Sequence, residues 1–243
     1  MKRFSIVGSI LLVLLTSGCG SEDNGSSSSS SSVDFISSSS SRESFIGNGI
    51  YNDEGLSFML VDSTRANNNV LLADLDNGDF YVVDNSVTTT DTQMITQGLT
   101  YSENDNIFRD ENFVATANFT SDSVTITAQS ENENFVYSMD RTEDSLPLEQ
   151  IVGTHTNPDD GSTWEINEDG SFVLNGGCSI SGNIKRQGAY YNIERASAVS
   201  CANSAENGSY YGALVTLNIA DNYYLFGIFA NQTSLLVTSF PQN

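Results

Sequence analysis

Ser123-Val124-Thr125-Ile126-Thr127-Ala128-Gln129 is the stretch on which the fold class turns. Its apolar side chains fall on every second residue, the period of a strand with one dry and one wet face, and its Val, Ile and Thr suit a pleated surface. A helix would scatter Val124, Ile126 and Ala128 around its circumference. Working outward, similar runs occur at Ser57 to Val61, Val70 to Leu75, Asp79 to Val83, Met94 to Thr100, Phe113 to Phe119 and Phe135 to Met139. All are short, rich in β-branched and aromatic residues, and bounded by Asn, Asp, Gly or Ser. No segment holds a helical period for long.

Past Leu146-Pro147-Leu148 a second series begins: Gly153 to Thr156, Thr163 to Asn167, Ser171 to Leu174, Ser179 to Ile184, Tyr190 to Glu194, Tyr210 to Ile219, Tyr223 to Ala230 and Ser234 to Phe240. Asn77-Gly78, Asp160-Gly161 and Asp169-Gly170 favour tight hairpins, because these residues tolerate positive φ. The halves are weakly alike: Gly49-Ile50-Tyr51 and Gly153-Thr154-His155 each open one, and Asn77-Gly78-Asp79-Phe80 parallels Asp169-Gly170-Ser171-Phe172. The expectation is an all-β protein with two consecutive small antiparallel barrel or sandwich domains, residues 45–145 and 146–243, since closure removes exposed edges. One larger continuous barrel is the other arrangement compatible with the pattern.

The N-terminus reads Met1-Lys2-Arg3, an apolar stretch from Phe4 to Leu15, then Thr16-Ser17-Gly18-Cys19. This is the charged, apolar and small-residue order of an export signal, too short to span a bilayer. It resembles the lipobox of bacterial lipoproteins, with Thr16 where that pattern usually has Leu, Val or Ile. The resemblance implies cleavage after residue 18 and acylation of Cys19. Gly20 and Ser21 lack the Asp that would retain such a protein in the inner membrane, so the expected address is the outer membrane. Residues 19–44 are mostly serine with few apolar interruptions and predict a flexible tether, whose reach is roughly 25 to 30 Å.

Nine Lys and Arg face 31 Asp and Glu, a formal net charge of −22. Nucleic acid is excluded as a partner, because binding it needs cations to meet phosphates. Anionic lipid surfaces repel such a chain, which leaves the N-terminal lipid as its link to the membrane. The acidity serves solubility, or steers the protein toward a basic protein or a cation. With Cys19 lipidated, Cys178 and Cys201 remain in an oxidising compartment, and one disulfide between them is predicted.

Gly49-Ile50-Tyr51, Asn77 to Tyr81, the Gly177-Cys178-Ser179-Ile180-Ser181-Gly182 segment and Cys201 together resemble a group of two-part proteobacterial β-rich lipoproteins over residues 45–243. That likeness implies the two-part layout and the disulfide, and no activity. In architecture alone the chain is similar to lipocalins, with their meandering barrels, and to lysozyme-inhibitor lipoproteins.

Little in the chain points to catalysis. His155 is the only histidine, and no Gly-x-Ser-x-Gly elbow accompanies it. Asp159-Asp160 and Glu168-Asp169 lie in turn sequences, and Asn157 to Gly161 and Asn104 to Asn106 with Asp110 to Asn112, the candidate cation loops, lack the spacing of a calcium loop. No cofactor and no metal is expected. Aromatic pairs remain: Tyr190-Tyr191, Tyr210-Tyr211 and Tyr223-Tyr224 each put one ring on either sheet face, offering Tyr190, Tyr211 and Tyr223 as candidate binding residues. The expected function is a monomeric, non-catalytic, membrane-tethered β module that binds a small ligand or a protein, or supports the envelope. The alternatives are an inhibitor of a basic envelope-attacking enzyme of the lysozyme type and, further off, a hydrolase.

Overall fold

A computed structural model describes residues 45–53, 57–65, 68–74, 79–103, 106–130 and 133–242. Cys19, the serine-rich tether and the Asn77-Gly78 and Asn104-Asp105 turns lie outside the described residues. Among those described, no helix is long and apolar enough to cross a membrane. The protein is all-β, with two barrel-like antiparallel sheets.

The first sheet is a closed barrel of eight strands in meander order: β1 (Gly49–Asn52), β2 (Ser57–Val61), β3 (Val70–Asp74), β4 (Asp79–Thr88), β5 (Gln93–Glu103), β6 (Asn106–Phe119), β7 (Ser123–Ser130) and β8 (Glu133–Arg141). Closure comes from β1 pairing with β8, Tyr51 opposite Arg141. Alternation along the strands fills the interior: Tyr51, Met59, Val61, Val70, Val83, Met94, Ala117, Phe119, Val124 and Met139, drawn from all eight strands, form one buried cluster. β4, β5 and β6 run longer than their apolar patterns predict, and β6 bulges opposite Gly98, whose φ is +80°. Gly is required there, since an added Cβ would come within 2.7 Å of Asp84 Oδ2.

A short helix α1 (Leu148–Ile151) leads into the second sheet: β9 (Gly153–Thr156), β10 (Thr163–Ile166), β11 (Ser171–Asn175), β12 (Ser179–Asn183), β13 (Lys185–Gln187), β14 (Tyr190–Val199), β15 (Gly208–Ile219), β16 (Asn222–Ala230) and β17 (Leu235–Pro241). The order is β17-β16-β15-β14-β12-β11-β10-β9, with β13 paired beside β14, and the two ends of the sheet curl toward each other. Trp164 centres its core, with ring centroids 5.8 Å from Phe172, 6.2 Å from Phe229 and 5.8 Å from Phe240. Cys178 and Cys201 form the predicted disulfide.

The two openings are equivalent in structure as well as sequence. Gly49 and Gly153 both take positive φ, +155° and +136°. Two residues on, Tyr51 donates its hydroxyl to the carbonyl of Gly47 (3.0 Å), and His155 Nε2 meets the carbonyl of Ile151 (2.9 Å). Each strand start is thus tied to the backbone four residues upstream.

The barrels are not independent beads on a string. Ile50, Phe58, Leu60, Leu71 and Val82, on the outer face of the first, form one buried cluster with Tyr190, Ala213, Val215, Leu217, Phe226 and Ile228 of the second. This explains why β2 and β15 are buried on both faces instead of alternating wet and dry. The connecting segment is strapped down too: Thr216 accepts from the Leu146 N–H at 2.7 Å, and Arg186 Nη1 donates to the carbonyl of Ser145 at 2.6 Å.

Candidate functional site

Side chains at paired positions in adjacent strands point to the same face of a sheet. Registers across the first barrel place Met59, Leu72, Tyr81, Tyr101 and Phe108 in one row from β2 to β6. Met59 belongs to the interior cluster, so the whole row faces the barrel axis. The same reasoning from Ala117 turns Ile126 and Tyr137 inward, and Ala115, Ala128, Phe113 and Phe135 share that face.

The inner wall divides along the axis. At one end, Arg141 lies over the Tyr51 ring, 4.9 Å from its centroid, and donates to the Tyr51 hydroxyl and to the carbonyls of Asn48 and Ile46 at 2.6, 2.7 and 2.5 Å. With Phe45 against Phe119 (5.1 Å) this makes a filled floor. Burial, opposed by Arg141, pushes the Tyr51 hydroxyl up to about 12. At the other end the wall is aromatic and wet: Phe108, Phe135 and Tyr137 face the axis yet remain 37%, 39% and 37% exposed. Inward rings at that end are thus partly exposed, and this stretch of the inner wall is termed the cup.

The rings of the cup are organised in two stacks. Tyr81, Tyr101 and Phe108 follow one another at 5.9 and 5.2 Å with interplanar angles of 25° and 22°. Phe113 and Phe135 stack at 6.2 Å and 22°. Between the stacks and β1, Tyr137 donates its hydroxyl to Asp53 Oδ2. Burial, that hydrogen bond and the charges of Asp53 and Asp74 push Tyr137 up to about 12, with the Ser57 hydroxyl pulling the other way. Tyr137 therefore stays a neutral donor throughout the physiological range.

A polar lock of different character sits in the seam between the barrels. Asp62 accepts from Thr64 N and Oγ1 at 2.8 and 2.6 Å, from Gln187 Nε2 at 2.6 Å and from the Tyr190 hydroxyl at 2.9 Å. Burial alone would raise its pKa; the hydrogen bonds from Thr64, Tyr190 and Gln187 together hold it below the usual carboxylate value. Arg65 lies 5.6 Å from the Tyr190 ring centroid and donates to the carbonyl of Gly212 at 3.1 Å.

Tyr190, offered by the sequence as a binding aromatic, is therefore corrected to a structural role. It is 2% exposed, because its ring packs in the shared cluster and its hydroxyl is committed to Asp62. Tyr211 is 53% exposed, while Tyr223 is half-buried with its hydroxyl 3.5 Å from Glu143. They sit at opposite ends of the β15–β16 pairing and form no common surface. Sequence reasoning sought an aromatic wall in the second half and missed the one in the first. Its signal was present in the alternation Leu99-Tyr101 and Phe135-Tyr137-Met139, but only closure reveals that these faces converge.

Other sequence candidates resolve into turns. Asp160 and Asp169 each accept from a serine two residues on, through its N–H at 2.9 Å and its hydroxyl at 2.7 Å, and these bonds lower both carboxyls. Asp110 likewise accepts from the N–H groups of Asn112 and Phe113 at 3.0 and 3.1 Å. His155 is 2% exposed, and since a carbonyl only accepts, its Nε2 carries the proton. A cavity of about 190 Å³ in the second barrel reaches Cys178, Glu206 and Phe229. Glu206 lies 3.8 Å from Cys178 Sγ, but a disulfide sulfur has no proton to donate and no thiolate to offer a metal.

Comparison with protein-family models, curated proteins and solved structures finds no match for this chain.

Proposed function

We propose that this chain is an exported lipoprotein, held in the outer membrane by a lipid on Cys19, whose folded part is a non-catalytic binding module with the open end of the first barrel as its receptor cup. The observation that carries the reading is the inner aromatic wall left partly exposed above a filled floor. Soluble domains rarely leave stacked rings wet without a use for them, and concave apolar sites with a few polar groups are the usual form of small-ligand pockets. The burial of His155 and the engagement of Asp160, Asp169 and Asp110 in turns support a binding role over a catalytic one.

The address and the binding are tested separately. Cys19→Ser should move the protein from membranes into the soluble periplasmic fraction; unchanged membrane association would refute the lipid anchor. For the cup, a neutral apolar fluorophore should bind the purified protein with one-to-one stoichiometry, and Tyr101→Ala should abolish that binding. Retention of the fluorophore by the variant would place any binding site elsewhere.

A further inference from the structure

We propose that Cys178, Cys201 and Glu206 form a latent zinc site in the second barrel, closed by the disulfide and opened when a dithiol reduces it. The three side chains are already assembled. Cys178 Sγ, Cys201 Sγ and a Glu206 carboxylate oxygen lie within 4.8 Å of one another, Cys178 buried and the other two residues half-buried. Glu206 Oε2 stands 3.8 Å from Cys178 Sγ, and while the sulfurs are bridged this contact is no hydrogen bond, because neither sulfur carries a proton. The contact acquires a chemical use once the sulfurs are thiolates. A tetrahedral zinc, bonded at about 2.3 Å to sulfur and about 2.0 Å to a carboxylate oxygen, holds such ligand atoms roughly 3.5 to 4 Å apart.

The arrangement does not depend on the bridge. The Ala202 N–H donates to the carbonyl of Gly177 at 2.8 Å, and Ser179 pairs with Val199, so the backbone alone keeps the two cysteine segments side by side. Glu206 closes a single 3-10 turn, Ser204–Glu206, that is capped by Asn203. Asn203 accepts from the Ala205 N–H at 3.1 Å and donates through Nδ2 to Glu206 Oε1 at 3.2 Å, which turns Oε2 to the sulfur. The carbonyl of Glu206 accepts from the Tyr210 hydroxyl at 2.6 Å, tying the turn to a ring of the core. Asn207 adds a further tie, accepting from the Cys201 N–H at 3.1 Å. Metal sites use outer hydrogen bonds of this kind to orient their ligands. The cavity of about 190 Å³ that reaches Cys178 and Glu206, lined also by Gly176 and Gly177, has room for an ion and for a water in its fourth position.

The donor set selects the metal. Two thiolates disfavour calcium and magnesium, which take oxygen ligands, and a carboxylate adds little for copper(I), which prefers soft sulfur. Zinc, of borderline softness, takes both. Opening balances in two steps. The dithiol gives two electrons and two protons to the bridge and becomes a disulfide itself, while the Cys178–Cys201 bond breaks and each sulfur is left as a thiol. Zinc then binds both sulfurs as thiolates, and their two protons pass to solvent.

The test uses the purified mature chain with Cys19→Ser, which leaves these two cysteines alone. Cobalt(II) is titrated anaerobically into the oxidised chain and into the chain reduced on an immobilised dithiol. The thiolate charge-transfer and tetrahedral d–d bands should appear only after reduction, saturate at one ion per chain and vanish when zinc displaces the cobalt. Glu206→Gln keeps the size of the side chain and removes its charge, so it should weaken zinc about tenfold in competition with a chromophoric chelator, the scale on which even an outer-shell partner counts. Zinc should also raise the melting temperature of the reduced chain and leave that of the oxidised chain unchanged. Absence of the cobalt bands after reduction would overturn the proposal, because the thiols would not be holding metal together. Zinc affinity unaltered in Glu206→Gln would overturn it too, since the thiols would then capture metal without the carboxylate. So would a reduced chain that loses its strand signal in circular dichroism even with zinc, because a metal held by the folded site stabilises the fold.

Discussion

Asp62 keeps its charge in the seam because four donors from two barrels converge on it. Its folded pKa lies below its unfolded value of about 4, so the stabilisation is fully present above the unfolded pKa and fades as the pH falls through the lower, folded one. Asp62→Asn should cost about 2 kcal/mol at neutral pH, the scale of leaving buried donors poorly matched. Urea midpoints measured from pH 7 down to pH 2 should fall less steeply in the variant than in the parent; equal slopes would show that other carboxyls carry the acid response. Ala220 poses the opposite case. It and Asp221 make the two-residue turn between β15 and β16 with φ of +51° and +65°, a conformation that penalises a Cβ. Ala220→Gly should stabilise by about 0.5 to 1 kcal/mol, read as a raised melting temperature, and a lowered one would contradict the strain. Gly227 shows the cost of filling space already taken. A Cβ there would come within 2.6 Å of Trp164 Cη2 in the core of the second barrel, so Gly227→Ala should destabilise by about 1 to 3 kcal/mol.

At the scale of elements, β5 and β6 decide what the first barrel can hold. Residues 106–112 of β6 are exposed, and beyond the bulge this pair carries Tyr101 and Phe108 to the rim of the cup. Arg109 moors the hairpin to the loop after β16 through the carbonyl of Gln232. Arg109→Ala should leave global stability within about 0.5 kcal/mol, since the contact is exposed. It should nevertheless raise amide exchange along Asn106 to Asp110, and unchanged protection would show that the hairpin is held by pairing alone. In the second barrel the Cys178–Cys201 bridge ties the residue just before β12 to the segment after β14. Closing that loop is worth about 3 kcal/mol in the chain-entropy description, so reduction should lower the melting temperature while the strand signal in circular dichroism persists below it. Full unfolding on reduction at room temperature would mean that the disulfide carries more than chain entropy.

The whole molecule should behave as one cooperative body, because an apolar cluster and the Asp62 lock join the barrels and the connecting segment is pinned by Ser145, Leu146 and Thr216. Trp164, the only tryptophan, reports on the second barrel. Its fluorescence midpoint in urea should coincide with that of circular dichroism over all strands; separated midpoints would show two units unfolding in turn. The acidity acts at this scale as well, since a net charge of −22 favours approach of basic partners at low salt. Inhibition of a basic lysozyme stays a distinct reading, and lysozyme activity unchanged at stoichiometric excess of this protein would exclude it. Protease cleavage on intact cells, against permeabilised controls, separates a domain facing the environment from one inside the periplasm.

Strand identity was legible in the chain because it is local. β2 at Ser57–Val61 and β9 at Gly153–Thr156 fall where short β-favouring runs and flanking turn residues put them, and the pairing of Cys178 with Cys201 followed from there being two cysteines left to pair. Local pattern also marked which residues share a face, but not what that face meets. Tyr190 read as a candidate surface ring because its neighbour Tyr191 would occupy the core; both are buried, since the second barrel packs its outer face on the first. The paired Asp62 and Tyr190 lie 128 residues apart, and no periodicity links them. The cup was hidden for the same reason. Tyr81, Tyr101, Phe108, Phe135 and Tyr137 come from four strands, and each alternates like any core position. That their rings converge, partly exposed, at one end of the inner wall depends on barrel closure, strand length and the bulge at Gly98, all set by long-range hydrogen-bond register. Composition and alternation determined what this protein is made of, while register and closure decided which of its aromatic faces stay in water.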